Sequence, residues 1–583
     1  MQCHRLIRNC LLPSALCTLL CLLPSARCLL ASEASVVESR KGMVVSVSPP
    51  ASDAGAEILR EGGNAVDAAV ATALALAVTF PEAGNLGGGG FMMIAPGGGA
   101  EPVCIEYRET APAAVGKDTF ATTKNRFGHK VVGVPGTVRG LATAHAKYGK
   151  LPWRDVVAPA IRLATEGFAI DAALAEALNR QLSAAEDYPE FRRVFAKPGV
   201  EAKWKTGDRL VQPDLAATLN RLATDGADAF YRGPIAEQIV AEMQAGGGFI
   251  TAADLAGYEA QVRRPIHGTY RGFDVFGPPP PSSGGTCIVE ILNILENFDL
   301  KQQGRWSPET MHVIVEAVRR AYCDRARYIG DPAFTEIPSH LTTKEYAKKL
   351  AASIDLNKAT KSESLAPEIK LADEGPSTTH FSVVDGSGMA VANTYTLQDS
   401  YGSRVVVRGA GFLLNNEMTD FNWRPGITTR DGLIGTEANQ IAPGKRMLSS
   451  QSPTIVFRDG KLVLVTGSPG GRTIPNTVLC VLINVMDFDM DIRTAVDAPR
   501  LHHQWFPNRV AFEGTKRDEY KSLVERLTAM GHEVTVGVRK TSDGYYVQGD
   551  AHSIRNRDGL LQGAADRRRT VAKAATPEGN DKR

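Results

Sequence analysis

Excess charge of either sign is missing from this sequence. Its 66 lysines and arginines stand against 64 aspartates and glutamates, a formal net charge of +2. That balance excludes a chain built to coat nucleic acid or a strongly acidic partner. Cysteine is scarce where it could do chemistry. Of nine, five (Cys3, Cys10, Cys17, Cys21 and Cys28) crowd the N-terminus. The other four, Cys104, Cys287, Cys323 and Cys480, lie far apart without the close spacing of a metal site, and read as small buried hydrophobes. An exported chain could oxidise two of them, with the pair left open. Beyond the N-terminus no run is long and apolar enough to cross a bilayer. Familiar catalytic signatures are absent as well: there is no Gly-x-Ser-x-Gly, no His-Glu-x-x-His and no Cys-x-x-Cys. The glycines Gly87 to Gly90 carry neither a dinucleotide fingerprint nor a Walker lysine, so they read as a tight turn or close backbone packing. His502-His503 has no carboxylate cluster near it and reads as structural. Neither a metal nor a cofactor is expected.

What is present begins with a leader. Arg5 and Arg8 precede the apolar run Leu11 to Leu23, and small residues follow around Ala31-Ser32-Glu33-Ala34. This is signal-peptide anatomy. It predicts export to the periplasm or medium with cleavage near Ala31, a retained membrane anchor being the weaker alternative. The 583 residues allow a large core and, on length alone, several domains. Helices are predicted over Asp53 to Arg60 and Asn64 to Thr79, the second capped by Asn64 and stopped by Pro81. Further helices are expected at 160–166, 171–182 and 214–225, then from Pro280-Pro281-Ser282-Ser283-Gly284-Gly285 through Leu295. Another runs from Ser307-Pro308-Glu309 to about Arg327. Strand-like runs sit at 103–108, 411–414, 454–457 and 461–466. The first part is helix-rich and the part after residue 378 β-rich.

The chain is organised around Gly375-Pro376-Ser377-Thr378-Thr379-His380-Phe381-Ser382-Val383-Val384-Asp385. A polar run from Asn357 to Glu374 reads as an exposed linker leading into it. Two β-rich stretches follow, joined by Asp385-Gly386-Ser387-Gly388, a strong hairpin signal. A turn centred near Ser387 puts Thr396 opposite or diagonal to Thr378. A tether entering a strand that begins with hydroxyls suits a chain that cuts itself before Thr378. The new α-amine can then serve as base for the threonine hydroxyl.

These residues resemble the processing site of γ-glutamyltranspeptidases, the glutathione hydrolases of the N-terminal-nucleophile class. The likeness continues through Leu413-Leu414-Asn415-Asn416-Glu417-Met418-Thr419-Asp420-Phe421, Lys445 to Thr454, Thr466-Gly467-Ser468-Pro469-Gly470-Gly471 and His502-His503-Gln504-Trp505. Upstream it takes in Asn85 to Phe91, Tyr107-Arg108-Glu109 and Val134-Pro135-Gly136-Thr137. It spans nearly the whole chain after the leader.

The resemblance implies an α+β fold, a four-layer αββα sandwich. It implies cleavage between Ser377 and Thr378, downstream of the signal peptide that the leader's own residues place over 1–31. Residues 32–377 then form a large subunit and 378–583 a small one, held together as a heterodimer and one structural unit. Thr378 would attack the γ-amide of glutathione or another γ-glutamyl compound, and the acyl-enzyme would pass to water, an amino acid or a dipeptide amine. Thr396 matches the threonine that hydrogen-bonds the nucleophile, and the N–H groups of Gly470 and Gly471 match the oxyanion hole. Arg108 would take the donor's carboxylate with Ser449 and Ser450, and Asp420 its ammonium with Glu417 beside it. Gln398 stands where asparagine is usual and is expected to reach the ammonium. Residues 424–445 correspond to a lid over the pocket. Two other readings remain: a relative acting on glutaryl-type acyl groups, and an uncleaved binding protein. Arg108 together with Asp420 argues against the first, and the intact Thr378, Thr396 and glycines against the second.

Overall fold

The computed structural model describes residues 36–199, 202–367, 379–424, 426, 428, 435–540, 546–568 and 571–579. Two seven-stranded sheets form its centre. In the first the order is Lys573–Ala575, Gly42–Ser46, Thr379–Asp385, Ala390–Thr396, Gly89–Ala95, Val103–Glu106 and Gln261–Arg263. In the second it is Val37–Ser39, Leu560–Ala564, Ser553–Arg557, Lys461–Thr466, Thr454–Arg458, Phe273–Gly277 and Ile266–Tyr270. All these pairings are antiparallel.

Side chains alternate between the faces of a strand, and the first sheet shows what each face meets. Val44, Met92, Ile94, Phe381, Val383, Val391 and Tyr395 join the core shared with the helices Pro49–Arg60 and Ala65–Thr79. Their neighbours Met43, Val45, Phe91, Met93, Val384, Ala390 and Ala392 join a second core with Phe276, Ile455, Val465, Ile554 and Leu561 of the other sheet. The central strands are buried on both faces, which explains their near-continuous apolar sequences. Gly284–Leu295 packs on the outer face of the second sheet, against strands 266–270 and 273–277. Helix, sheet, sheet, helix is therefore the layering, an α+β fold of the αββα kind.

Local signals explain the boundaries. Asn64 accepts from the N–H groups of Val66 and Asp67 while Asp67 returns a bond to the Asn64 N–H, a capping box on the Ala65–Thr79 helix. Asp171 and Ser307 cap the helices Ala172–Ala184 and Pro308–Tyr328. The first helix begins at Pro49, four residues ahead of the prediction, because proline is at home in a first turn. The expected strand at 411–414 is not one. Positive φ at Gly409 and Gly411 (74° and 75°) folds the chain into a tight reversal, held by Val407 N–H to Phe412 O and Leu414 N–H to Val405 O. Downstream of residue 378 the chain also builds a wholly buried helix, Ile474–Met486, which the sequence reading left unassigned.

Candidate active site

Thr379–Asp385 and Ala390–Thr396 pair from Thr379 opposite Tyr395 to Val384 opposite Ala390, a register centred on Ser387. Ser377 and Thr378 lie outside the described residues, as does the leader. By the alternation above, His380, Ser382, Thr394 and Thr396 share the face between the sheets. The buried His380 ring bridges Thr394 Oγ1 at 2.8 Å and Ser382 Oγ at 3.1 Å. Burial, reinforced by His552, holds its pKa well below the ordinary imidazole value, so it is neutral. Thr396 Oγ1 accepts the Gln398 N–H at 2.8 Å. Asn85 ties this strand end to the glycine run: its amide donates to Thr396 O and its carbonyl accepts the Gly88 N–H, both at 2.9 Å. A Cβ on Gly88 would fall inside the van der Waals radius of the same Thr396 oxygen, so the glycines serve close backbone packing.

From the facing sheet, strand Lys461–Thr466 leads into Ser468-Pro469-Gly470-Gly471 and then the Ile474–Met486 helix. Gly470 has φ +129° and Gly471 +55°, conformations that side chains rarely adopt, and the Thr473 hydroxyl bonds Gly470 O at 2.9 Å.

A cluster of opposite charges forms the third part. Arg108 follows strand Val103–Glu106, with its carbonyl fixed by the Tyr258 hydroxyl at 2.8 Å. Only 1% of the residue is exposed. Its guanidinium pairs with Glu417, with Asp420 at 2.5 Å and with the neighbouring Glu109 at 3.5 Å. It also donates to the carbonyls of Met447 and Leu448 at 3.3 and 3.2 Å. Burial disfavours this cation, but Glu417, Glu109 and Asp420 more than offset it, so its pKa lies above the ordinary arginine value. Burial pushes the Glu109 carboxyl up to about 7 against the pull of Arg108. Burial likewise raises Glu417, with Arg108 opposing and Glu109 and Asp420 adding. The Gln398 amide, on backbone with φ +80°, donates to Asp420 Oδ1. Ser449 accepts the Gln451 N–H at 3.1 Å, and Ser450 accepts from Arg325 at 2.9 Å.

The structure thus joins Arg108, Glu417, Asp420 and Gln398 in one network, with Arg108 and Asp420 bonded to each other. Of the expected lid, only Arg424, Gly426, Thr428 and 435–445 are described. Asn439 there donates to Asp420 O at 2.7 Å and accepts the Leu448 N–H at 2.9 Å. Sequence reasoning gave no role to Glu109, Asn85, Arg325 or Asn415. Asn415 binds Gly87 O and Gly133 O through its amide, and accepts the N–H groups of Gly133 and Glu417. For Arg325 the sequence carries no signal, since it lies inside a long helix; the others sit within the motifs quoted above.

All four cysteines of the described residues are buried and outside any disulfide. One buried group, His312, Glu316 and His532, has metal-ligand geometry. Its donors are committed elsewhere: the two rings meet at 2.7 Å, and Glu316 pairs with Arg319 and Arg320 at 3.2 and 2.6 Å. No helix among the described residues is long and apolar enough to cross a membrane.

Comparison with known proteins bears on the family and the fold. Residues 51–576 match the family model described as gamma-glutamyltranspeptidase. The glutathione hydrolase proenzyme of Escherichia coli (strain K12) is 46% identical over 541 residues, 91% of either chain. The crystal structure of cephalosporin acylase from Bacillus halodurans superposes with a TM-score of 0.81 at 27% identity, covering 94% of this chain and 97% of that one. The Helicobacter pylori gamma-glutamyltranspeptidase structure covers 56% of this chain and 95% of its own, at 40% identity and a TM-score of 0.54. By its sequence and its layered fold, the chain belongs to the gamma-glutamyltranspeptidase family.

Proposed function

We propose that the protein is a self-processing γ-glutamyltransferase and glutathione hydrolase with Thr378 as its nucleophile. The observation that carries this reading is the hairpin register. Thr379 pairs with Tyr395, so the described strand pair opens directly after the proposed cleavage site, at the end of the second strand that carries Thr396. Thr396 stands on the face between the sheets, and the Gly470-Gly471 turn follows strand Lys461–Thr466 of the facing sheet. Cleavage before Thr378 frees the α-amine that takes the proton from Oγ as it attacks the γ-amide carbon. Thr396, already accepting from Gln398 N–H, donates its hydroxyl proton to the nucleophile's oxygen. The N–H groups of Gly470 and Gly471 stabilise the oxyanion. Collapse expels the amine with the proton returned, and water or an acceptor amine completes the cycle.

The donor is a zwitterion at its α-carbon. Its carboxylate replaces Asp420 on the Arg108 fork, its ammonium takes Asp420 and the Gln398 carbonyl, and Ser449 and Ser450 add hydroxyl donors. One ion pair is exchanged for two, which limits the desolvation cost of binding. Export with removal of residues 1–31, periplasmic or secreted location, and a heterodimer of 32–377 with 378–583 complete the reading. A denaturing gel tests the self-cleavage. Wild type should run as two bands and Thr378→Ala as one; a single wild-type band overturns the account.

A further inference from the structure

Four arginines approach the Asp420 cluster, and three of them are satisfied. Arg108 is bonded as described. Arg325 donates to Ser283 Oγ and Ser450 Oγ at 2.8 and 2.9 Å. Arg126 reaches Asp399 at 3.4 Å and Thr419 at 3.3 Å. The fourth, Arg472, follows directly on Gly471, and nothing in the mechanism above uses it. Its backbone is pinned by the Tyr322 hydroxyl, which donates to Arg472 O. Its guanidinium makes no hydrogen bond or ion pair with the described residues, and Nη1 is sealed from solvent without a partner. A guanidinium has five donors and stays charged, so leaving even one of them buried and unpaired is costly, although the residue as a whole is only half-buried. Burial pushes its pKa down to about 10; Arg325 adds to that fall and Asp420 opposes it. A half-buried cation with one donor sealed from solvent and unpaired, next to the oxyanion turn, is poised for an anion that arrives with the substrate.

We propose that Arg472 is a second carboxylate-binding residue of the active site, distinct from Arg108, and that it fixes a carboxylate of the γ-glutamyl substrate beside the reacting amide. This inference rests on the functional reading above. Two sources carry that chemistry: the C-terminal carboxylate of the peptide part of the donor, and the glutamyl α-carboxylate. Arg472 is a specificity residue rather than a participant in the chemical step, so its loss should appear in KM while kcat changes little.

The experiment compares wild type, Arg472→Gln and Arg472→Lys on glutathione, glutathione with a C-terminal amide, and γ-glutamyl-p-nitroanilide. A charge-assisted bond of this kind predicts a roughly 10- to 100-fold rise in glutathione KM for R472Q, with R472K recovering part of it. If the peptide carboxylate is the ligand, wild type itself should bind the amide as weakly as R472Q does, and the anilide KM should not respond to the substitution. If the α-carboxylate is the ligand, all three donors should lose equally. R472K keeps the charge and self-cleavage reports folding, so a folding failure of R472Q alone leaves the test intact through R472K and the wild-type amide comparison. An unchanged KM in both variants on all donors, in cleaved and active protein, overturns the inference and spares the functional reading. Wild type inactive on every γ-glutamyl donor overturns both.

Discussion

At the scale of single residues the account turns on Arg108 and its carboxylates. Replacing Arg108 by leucine leaves Glu417 buried without its cation, so we expect a loss of about 3–5 kcal/mol in stability, read by denaturant unfolding. Arg108→Lys keeps the charge but loses the fork, and should raise donor KM about tenfold or more. Gln398 holds Asp420 through its amide. Gln398→Ala should therefore raise donor KM roughly 10-fold with little change in kcat, by the usual worth of a hydrogen bond to a charged group. An unchanged KM removes Gln398 from the ammonium site. Glu109 gives a pH signature. Its folded pKa of about 7 lies above the unfolded carboxylate value of about 4.3. Its contribution to stability is thus complete below the unfolded value and lost as pH rises through the folded one. Melting temperatures between pH 5 and 8 should fall in wild type relative to Glu109→Gln; parallel profiles contradict this. Sequence could nominate Arg108, Glu417 and Asp420 through their motifs, but it could not show that they bond one another. That contact joins positions 309 and 312 residues apart, and no local pattern encodes it.

At the scale of elements, the strands around the site are buried on both faces, and close backbone approach sets their geometry. Gly88→Ala should prevent self-cleavage, because its Cβ must displace the Thr396 carbonyl, and backbone cannot move as a side-chain tip can. A gel showing cleaved G88A contradicts the tight packing argued here. Much at this scale was legible. Asn64 and Ser307 marked helix starts by their own chemistry, and Asp385 to Gly388 marked the turn that centres the register on Ser387. The 411–414 run misled because its apolar residues suit a strand, whereas Gly409 just before it and Gly411 at its start fold it back on the preceding residues. The Ile474–Met486 helix escaped notice because it is buried all round, and a helix without a polar face has no 3.6-residue period to read.

At the scale of the whole molecule, both sheets draw strands from each side of the Ser377-Thr378 bond. In the first, Thr379–Asp385 lies hydrogen-bonded to Gly42–Ser46, and Ala390–Thr396 to Gly89–Ala95. In the second, Thr454–Arg458 lies against Phe273–Gly277. The two products of cleavage should therefore co-elute in native gel filtration and part only in denaturant; separation under native conditions contradicts that interleaving. The layered fold was legible from family motifs spread in order along the chain. Which strands neighbour which was not, since that order depends on contacts between distant segments. The central claim is that this site acts on γ-glutamyl donors through Asp420, and a glutaryl group has no ammonium for Asp420 to hold. Its most direct test is kcat/KM for γ-glutamyl-p-nitroanilide against glutaryl-p-nitroanilide. The account predicts that the γ-glutamyl compound is favoured by roughly 10-fold or more, from the lost charge-assisted contacts. Equal rates, or preference for the glutaryl compound, would contradict it.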